Sequence, residues 1–159
     1  MLRGHIAVAN YKLKNNTYGA QIDSAARKPL KTINLDYPHG TGHGVGYFLN
    51  VHEGPHAISK NNRVNFKEGM IVSNEPGYYE NGKFGIRIEN LVRVKKNKKN
   101  YSFDNLTMAP IDKSLVNKNI LKKGEINWLN SYHQDVFNNL KKFMNKSELL
   151  DLKQACSKI

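Results

Sequence analysis

The 159-residue chain predicts an α+β fold, in which helical segments flank a central series of short extended segments. Near both ends of the chain, apolar residues recur at spacings of three and four, which is the period of an amphipathic helix. Between them, short apolar runs are separated by glycine, proline and asparagine, a pattern typical of strands joined by turns. We divide the chain into a domain at 1–112 and a helical extension at 113–159.

The first two elements are predicted to be helices that supply core packing. Helical spacing of apolar residues predicts one helix over 2–14 and a second over about 20–30. The apolar run from Ile6 to Ala9 is too short for the central region of a signal peptide. No later stretch approaches the roughly 18 apolar residues of a membrane span, so we expect no membrane association.

A glycine-rich segment, HGTGHGVG at residues 39–46, carries two histidines four residues apart. Its four glycines argue against a helix, so we predict a kinked strand or loop. In a strand, His39 and His43 lie on the same side because their offset is even. A third histidine, His52, follows in the segment VHEGP at residues 51–55.

Two carboxylates follow on later extended segments. The apolar run at 70–72 precedes Glu75, and Pro76 favours an extended backbone at Glu75, which predicts a side chain leaving a strand end. In the segment FGIRIE, alternation places Arg87 and Glu89 on one face of a strand. The guanidinium would hold the carboxylate ionised, as a metal ligand must be. The alternative is a surface ion pair on a half-exposed strand.

The remaining extended region is divided by loops and turns. We predict a polar loop over 56–65, with His56 as a loop histidine. Asn-Gly at 81–82 predicts a hairpin turn. Residues 91–94 are expected to continue the strand of Glu89, and a last strand is predicted around 105–108.

The C-terminal region predicts an amphipathic helix from Glu125 onward. Its apolar positions recur at three and four residues: Ile126, Leu129, Val136, Leu140 and Phe143. We interpret them as core packing, with a partner-specific role as the alternative. Cys156 is the only cysteine, so no intrachain disulfide can form, which fits a reducing intracellular compartment.

The chain is strongly basic, with 25 Lys and Arg against 13 Asp and Glu and a net charge of +12. Such a surface, including the lysine cluster at 95–99, could attract nucleic acid. The lysine excess is accompanied by 21 asparagines, which carry no charge. We therefore interpret the cluster as solvated surface and predict no nucleic-acid partner.

Three histidines and two carboxylates on extended segments form the nitrogen and oxygen donor set of a divalent-metal hydrolase. The segments HGTGHGVG, VHEGP, NEPGYY and GIRIEN, in this order, resemble the catalytic domain of aminopeptidase P. These are the Xaa-Pro aminopeptidases among the pita-bread metallopeptidases, and the similarity is greatest to the cytosolic eukaryotic type. The resemblance runs from about Gly4 to the C-terminal helix. It implies the second half of a pita-bread fold with a helical extension.

The resemblance also implies a binuclear metal site, most of all for Mn²⁺, with Zn²⁺ or Co²⁺ as alternatives. In that family, two aspartates, one histidine and two glutamates hold the ions. The resemblance implies that His43 is the histidine ligand. It implies that Glu75 binds the same ion and handles the proton of the attacking water, and that Glu89 bridges the ions.

The implied activity is release of the N-terminal residue from peptides whose second residue is proline. His39 and His52 match histidines that bind substrate and stabilise the transition state, and Arg87 matches an arginine behind the metal ligands. The resemblance further implies a cytoplasmic enzyme and a homodimer contact.

One departure concerns the two aspartate ligands, which in the family lie upstream of the segment that residues 4–8 resemble. The acidic residues before the histidine motif, Asp23 and Asp36, do not lie in such a paired-aspartate strand. We therefore expect the chain to be an incomplete part of the enzyme that is inactive alone. The alternatives are a catalytically dead pita-bread module that binds protein or RNA, and a stand-alone metallohydrolase with three ligands and water.

Overall fold

The computed structural model describes residues 1–97 and 100–159 and divides into two units, Met1–Thr107 and Met108–Ile159. Within the described residues, the first unit contains two helices and seven strands. They are α1 (Leu2–Ala9), α2 (Gly19–Lys31), β1 (Gly42–Val45), β2 (Ala57–Ile58), β3 (Ile71–Asn74), β4 (Gly77–Glu80), β5 (Phe84–Arg87), β6 (Asn90–Asn97) and β7 (Asn100–Asn105).

Five of these strands form an antiparallel sheet in the order β2-β1-β3-β6-β7, and β4 pairs with β5 separately. On β6, Val92 and Val94 are buried while Arg93 and Lys95 are exposed, as period-two alternation requires. The buried valines join side chains of both helices in one core: Val8, Leu13, Ile22, Ala26, Ile58, Phe66, Val72, Val92 and Val94. The prediction of an α+β fold is confirmed.

Three predicted boundaries in the first unit are wrong. The loop predicted over 56–65 begins later, because Ala57–Ile58 form β2 by pairing with β1. The helix predicted over 2–14 ends at Ala9, because Leu13 leaves the helix to form a bridge with Tyr101 of β7. The strand predicted around 105–108 instead occupies Asn100–Asn105, because the β6–β7 register pairs Val92 with Asn105. Long-range strand pairing, which local propensity does not encode, sets all three limits.

The second unit contains the helices α3 (Lys123–Leu140) and α4 (Lys146–Ala155) and two short 3₁₀ turns, Lys118–Ile120 and Lys141–Phe143. The predicted amphipathic helix is present as α3, with Leu129 and Val136 fully buried. It ends before Phe143, which is 72% exposed, so Phe143 does not belong to its buried side.

Apolar periodicity does not predict helix α4, although the helix has a local sequence signal. The Asn145 side chain accepts hydrogen bonds from the backbone N–H groups of Ser147 and Glu148, and Glu148 caps the Asn145 N–H in return. Asparagine followed three residues later by glutamate is the sequence pattern of such a capping box. The domain division at residue 112 stays a prediction.

The lysine cluster at 95–99 lies partly outside the described residues, since those exclude 98 and 99. Lys95 and Lys96 lie on β6 and are exposed, in agreement with a solvated surface. Among the described residues, none of the helices combines the length and apolar character that crossing a bilayer requires.

Candidate metal centre

His43 lies in the middle of β1, between two glycines that allow neighbouring segments of the same chain to approach closely. A Cβ atom at Gly42 would overlap the carbonyl oxygen of Ser73 on β3. His43 Nδ1 lies 3.1 Å from the carbonyl oxygen of Gly44, and a hydrogen bond there puts the ring proton on Nδ1. In the neutral imidazole the other nitrogen, Nε2, carries the lone pair, and Nε2 lies 3.3 Å from Oε1 of Glu75.

Glu75 follows β3 and is held at its backbone and at both side-chain oxygens. Its N–H donates to the carbonyl of Thr41 at 2.8 Å. Oε1 accepts from the Ser73 hydroxyl and Oε2 accepts from Nη1 of Arg87, each at 2.9 Å. Glu75 is 7% exposed, so its carboxyl group is buried with a hydrogen-bond partner at each oxygen.

Ser73 joins the two segments that carry His43 and Glu75. Its Oγ accepts from the backbone N–H of His43 at 2.9 Å and donates to Glu75. Ser73 is not among the site residues that the sequence motifs predict. Its position two residues before Glu75, on the same face of an extended chain, is the signal that could have found it.

Glu89 completes a group of three potential metal ligands with His43 and Glu75. One ligand atom of each lies within 4.8 Å of the others, and within the described part of the chain this is the one group of three or more such residues. The lone pairs of His43 Nε2 and Glu75 Oε1 face each other, which is unfavourable unless a cation or a proton lies between them. The donor set therefore fits a divalent cation with nitrogen and oxygen ligands.

The prediction that Arg87 and Glu89 share one strand face is wrong. Strand β5 ends at Arg87 in the small β4–β5 sheet, where Arg87 pairs with Gly77, and β6 begins at Asn90 in the large sheet. Glu89 lies in the two-residue connection, where the chain passes from one sheet to the other. The guanidinium donates to Glu75 instead, so Glu75 is the carboxylate that it stabilises directly.

His39 lies outside β1, in the bend that precedes it, and is not one of the three clustered side chains. Its Nδ1 lies 2.6 Å from the carbonyl of Gly40, and its Nε2 lies 2.9 Å from the Tyr79 hydroxyl. Tyr79 accepts from Nε of Arg87 at 2.8 Å, so its own proton is available to His39. The hydrogen bond to Tyr79, together with the charges of Glu75 and Glu89, raises the pKa of Arg87.

His52 and His56 have different environments. The ring of exposed His52 lies 4.2 Å from the His43 ring, centroid to centroid, in an edge-to-face arrangement. His56 lies outside the strands, as predicted, but it is buried, and its Nε2 lies 2.8 Å from the carbonyl of Ile71. The structure thus brings His52 beside the clustered ligands and uses His56 to support β3.

Comparison with known proteins identifies the class of this fold and site. Residues 1–96 match the profile of Metallopeptidase family M24, and residues 99–159 match that of the C-terminal region of peptidase M24. The chain belongs to metallopeptidase family M24.

The similar curated proteins are aminopeptidases. The chain is 48% identical over 145 residues to Xaa-Pro aminopeptidase 1 of Dictyostelium discoideum, covering 86% of this chain and 23% of that protein. It is 49% identical over 142 residues to Aminopeptidase P1 of Lotus japonicus, covering 84% of this chain and 22% of that protein. The chain thus spans about a quarter of the length of these relatives. The resemblance to the Xaa-Pro aminopeptidases is confirmed.

Solved structures give the same assignment. An X-prolyl aminopeptidase from Caenorhabditis elegans, described as a cytosolic enzyme with a di-nuclear active site, matches with a TM-score of 0.91 at 40% identity. The match covers 99% of this chain and 28% of that one. Prolidase from Pyrococcus furiosus matches with a TM-score of 0.57 at 31% identity over 65% of this chain and 29% of that one. The predicted pita-bread fold is confirmed.

Proposed function

We propose that this chain supplies part of the active site of a metal-dependent exopeptidase, which releases the N-terminal residue from peptides with proline in the second position. The observation that carries the proposal is the convergence of His43, Glu75 and Glu89, with ligand atoms within 4.8 Å of one another. The relatives that carry the name Xaa-Pro aminopeptidase support the choice of substrate.

The proposed cofactor is a pair of divalent ions, Mn²⁺ in the first place, with Zn²⁺ or Co²⁺ as alternatives. The di-nuclear active site of the structural neighbour supports the number of ions. His43 and Glu75 would hold one ion and Glu89 would bridge to the second. Bound divalent ions supply Lewis-acid polarisation of the scissile carbonyl and make water more acidic.

The chain's own residues have distinct roles in the proposed hydrolysis. Glu75 takes the proton of the attacking water and passes it to the departing proline nitrogen, which becomes an amine. The hydrogen bonds from Ser73 and Arg87 hold the Glu75 carboxylate in a fixed orientation for this role. We assign to His52 a hydrogen bond to the developing oxyanion, and to His39 contact with the proline side of the substrate.

We further propose a cytoplasmic enzyme that forms homodimers and has neither a membrane nor a nucleic-acid partner. The description of the Caenorhabditis elegans neighbour as a cytosolic enzyme supports the location.

Metal titration of the purified chain tests the proposal. We expect saturable binding of Mn²⁺ or Zn²⁺ by calorimetry, with the affinity reduced at least about 10-fold in Glu89→Gln. Glu68→Gln is the matched control, because Glu68 is also an exposed glutamate but lies outside the three-ligand group. Equal affinities of the two variants, or no saturable binding by the unsubstituted chain, would contradict the proposed metal centre.

The second candidate is a catalytically dead pita-bread module that binds protein or RNA. The loop before His52 favours it, because Tyr47, Phe48 and Leu49 are each at least 80% exposed, and exposed apolar groups of this kind are typical of interaction sites. The same titration separates the candidates. A module that only binds another macromolecule has no need of a metal whose affinity depends on Glu89.

A further inference from the structure

Arg27 on α2 is a buried cation whose hydrogen bonds converge on the segment that carries His39. The residue is 2% exposed, and its Nε donates to Oδ2 of Asp23, one helical turn earlier, at 2.8 Å. Its Nη1 donates to Oδ1 of Asp36 at 2.7 Å and to the carbonyl of Tyr37 at 2.8 Å. Its Nη2 donates to the carbonyl of His39 at 2.5 Å.

The same ion pair also holds the chain on the other side of His39. Oδ1 of Asp23 accepts from the Thr41 hydroxyl at 2.7 Å, and Thr41 is hydrogen-bonded in turn to the Tyr37 hydroxyl. Burial raises the pKa of Tyr37 to about 12, so its phenol keeps the proton that this bond uses. The Thr41 carbonyl accepts the N–H of Glu75 at 2.8 Å. Asp23 and Arg27 therefore fix the backbone on both sides of His39 and connect it to Glu75.

This segment needs such support because residues 35–41 form neither helix nor strand. Their carbonyls must therefore find partners outside regular secondary structure. A guanidinium has five N–H donors in one plane, and here four of them reach two carboxylates and two carbonyls. An ammonium has three donors around one atom and cannot reach all four acceptors. The position therefore requires arginine and not merely a positive charge.

We propose that Arg27 is a positioning residue, which sets the orientation of the His39 imidazole through the carbonyl of His39 and the segment before it. The His39 carbonyl belongs to the peptide that leads into Gly40, whose own carbonyl holds Nδ1 of the His39 ring. With Nδ1 so fixed, Nε2 meets the Tyr79 hydroxyl. The catalytic relevance of the positioning by Arg27 rests on the proposed function, in which His39 contacts the substrate.

The test is a spectroscopic measurement on the metal-free 159-residue chain, so it does not depend on turnover. Imidazole ¹⁵N and ¹³C resonances report which ring nitrogen carries the proton, and the His39 signal is the one absent from His39→Gln. In the unsubstituted chain we expect one tautomer for His39, with the proton on Nδ1. In Arg27→Lys we expect loss of that single tautomer and a shifted His39 resonance, with His43 unchanged.

Two further variants make the test decisive. Arg93→Lys is the matched control, because Arg93 donates to Asp104 at 2.7 Å in the same unit but takes no part in the site, so it should leave His39 unchanged. Asp36→Ala removes one of the four acceptors at an exposed position and should produce a smaller shift of the same His39 signal. This variant carries the test if Arg27→Lys does not fold.

An unchanged His39 tautomer and shift in a folded Arg27→Lys or Asp36→Ala variant would overturn the inference. Equal shifts in Arg93→Lys would overturn it as well, since they would reflect a general loss of stability. The outcome of the metal titration is independent of the outcome of this NMR experiment. A fixed His39 without metal binding would contradict the proposed function and leave the positioning by Arg27 intact.

Discussion

At the scale of single residues, the candidate site depends on a buried hydroxyl that holds two proposed ligands together. Ser73 is fully buried, accepts from the His43 N–H and donates to Glu75. Removing one partner of a buried hydrogen bond leaves the other group without water or protein to replace it, which costs about 1–3 kcal/mol. Ser73 thus joins the segment of His43 to the segment of Glu75 by hydrogen bonds.

We predict that Ser73→Ala lowers the free energy of unfolding by about 1–3 kcal/mol, because the His43 N–H and Glu75 each lose a partner. Chemical denaturation monitored by circular dichroism measures the change. Ser24→Ala, at an exposed position on α2, should stay within about 0.5 kcal/mol of the unsubstituted chain. A Ser73→Ala variant as stable as Ser24→Ala would show that water replaces the hydroxyl at no cost.

The structure brings the three proposed metal ligands together but gives Arg87 a different partner from the one predicted. Three residue types that commonly bind metals occur in sequence order, and the structure brings them together as His43, Glu75 and Glu89. The partner of Arg87, however, is Glu75, twelve residues away, and not the nearby Glu89. Alternation places two residues on one face only while the strand continues. Here the strand ends at Arg87, and the chain then passes into the other sheet.

At the scale of elements, the close approach of β1 and β3 aligns the proposed ligands. The two strands pair with Gly44 opposite Val72, and a Cβ at Gly42 would overlap the Ser73 carbonyl. A side chain at Gly42 would therefore push apart the strands that carry His43 and Glu75. Because the obstructing atom belongs to the backbone, no rotamer change can relieve the overlap.

We predict that Gly42→Ala destabilises the chain by at least about 2 kcal/mol, as expected when a new side chain overlaps a packed backbone. Thermal unfolding of purified protein measures it. Gly124→Ala is the matched control, because a Cβ there meets nothing within 4 Å and the glycine lies in a helix, where alanine is favoured by about 0.5–1 kcal/mol. Similar melting temperatures for the two variants would exclude the close approach.

At the scale of the whole molecule, a buried histidine links stability to pH. His5 on α1 is fully buried, and burial lowers its pKa to about 4, although hydrogen bonds with the backbones of Ile88 and Asn74 oppose the shift. In the folded chain protonation of His5 therefore requires a lower pH, whereas in the unfolded chain His5 is protonated near pH 6.5. Stability is retained above that pH and is lost as the pH falls toward 4.

We predict that the free energy of unfolding falls by up to on the order of 3 kcal/mol between pH 7 and pH 4 on account of His5. His133, whose pKa burial also lowers, adds to the same trend. Denaturation curves at several pH values measure the slope, which should be shallower in His5→Asn whatever its stability at pH 7. Parallel slopes for the two proteins would mean that His5 does not titrate differently on unfolding.

We also predict that the purified 159-residue chain, supplied with Mn²⁺, hydrolyses Xaa-Pro peptides no faster than buffer. The described part of the chain offers one cluster of three ligands, and Glu89 and His52 are exposed, so metal affinity and exclusion of water both suffer. Release of the N-terminal residue, followed by chromatography, is the measurement. Robust Mn²⁺-dependent turnover would instead favour a stand-alone hydrolase.

Local sequence patterns are sufficient to predict the α+β class, helix α2 and the donor types of the site, because these depend on local periodicity and side-chain chemistry. It also contained the motifs by which the chain resembles the aminopeptidases. Where α1 ends, which carboxylate Arg87 contacts and which segment Arg27 supports became clear from the folded chain. Those outcomes depend on contacts between segments distant in the chain, such as Leu13 with Tyr101 or Arg27 with His39, which no local pattern encodes.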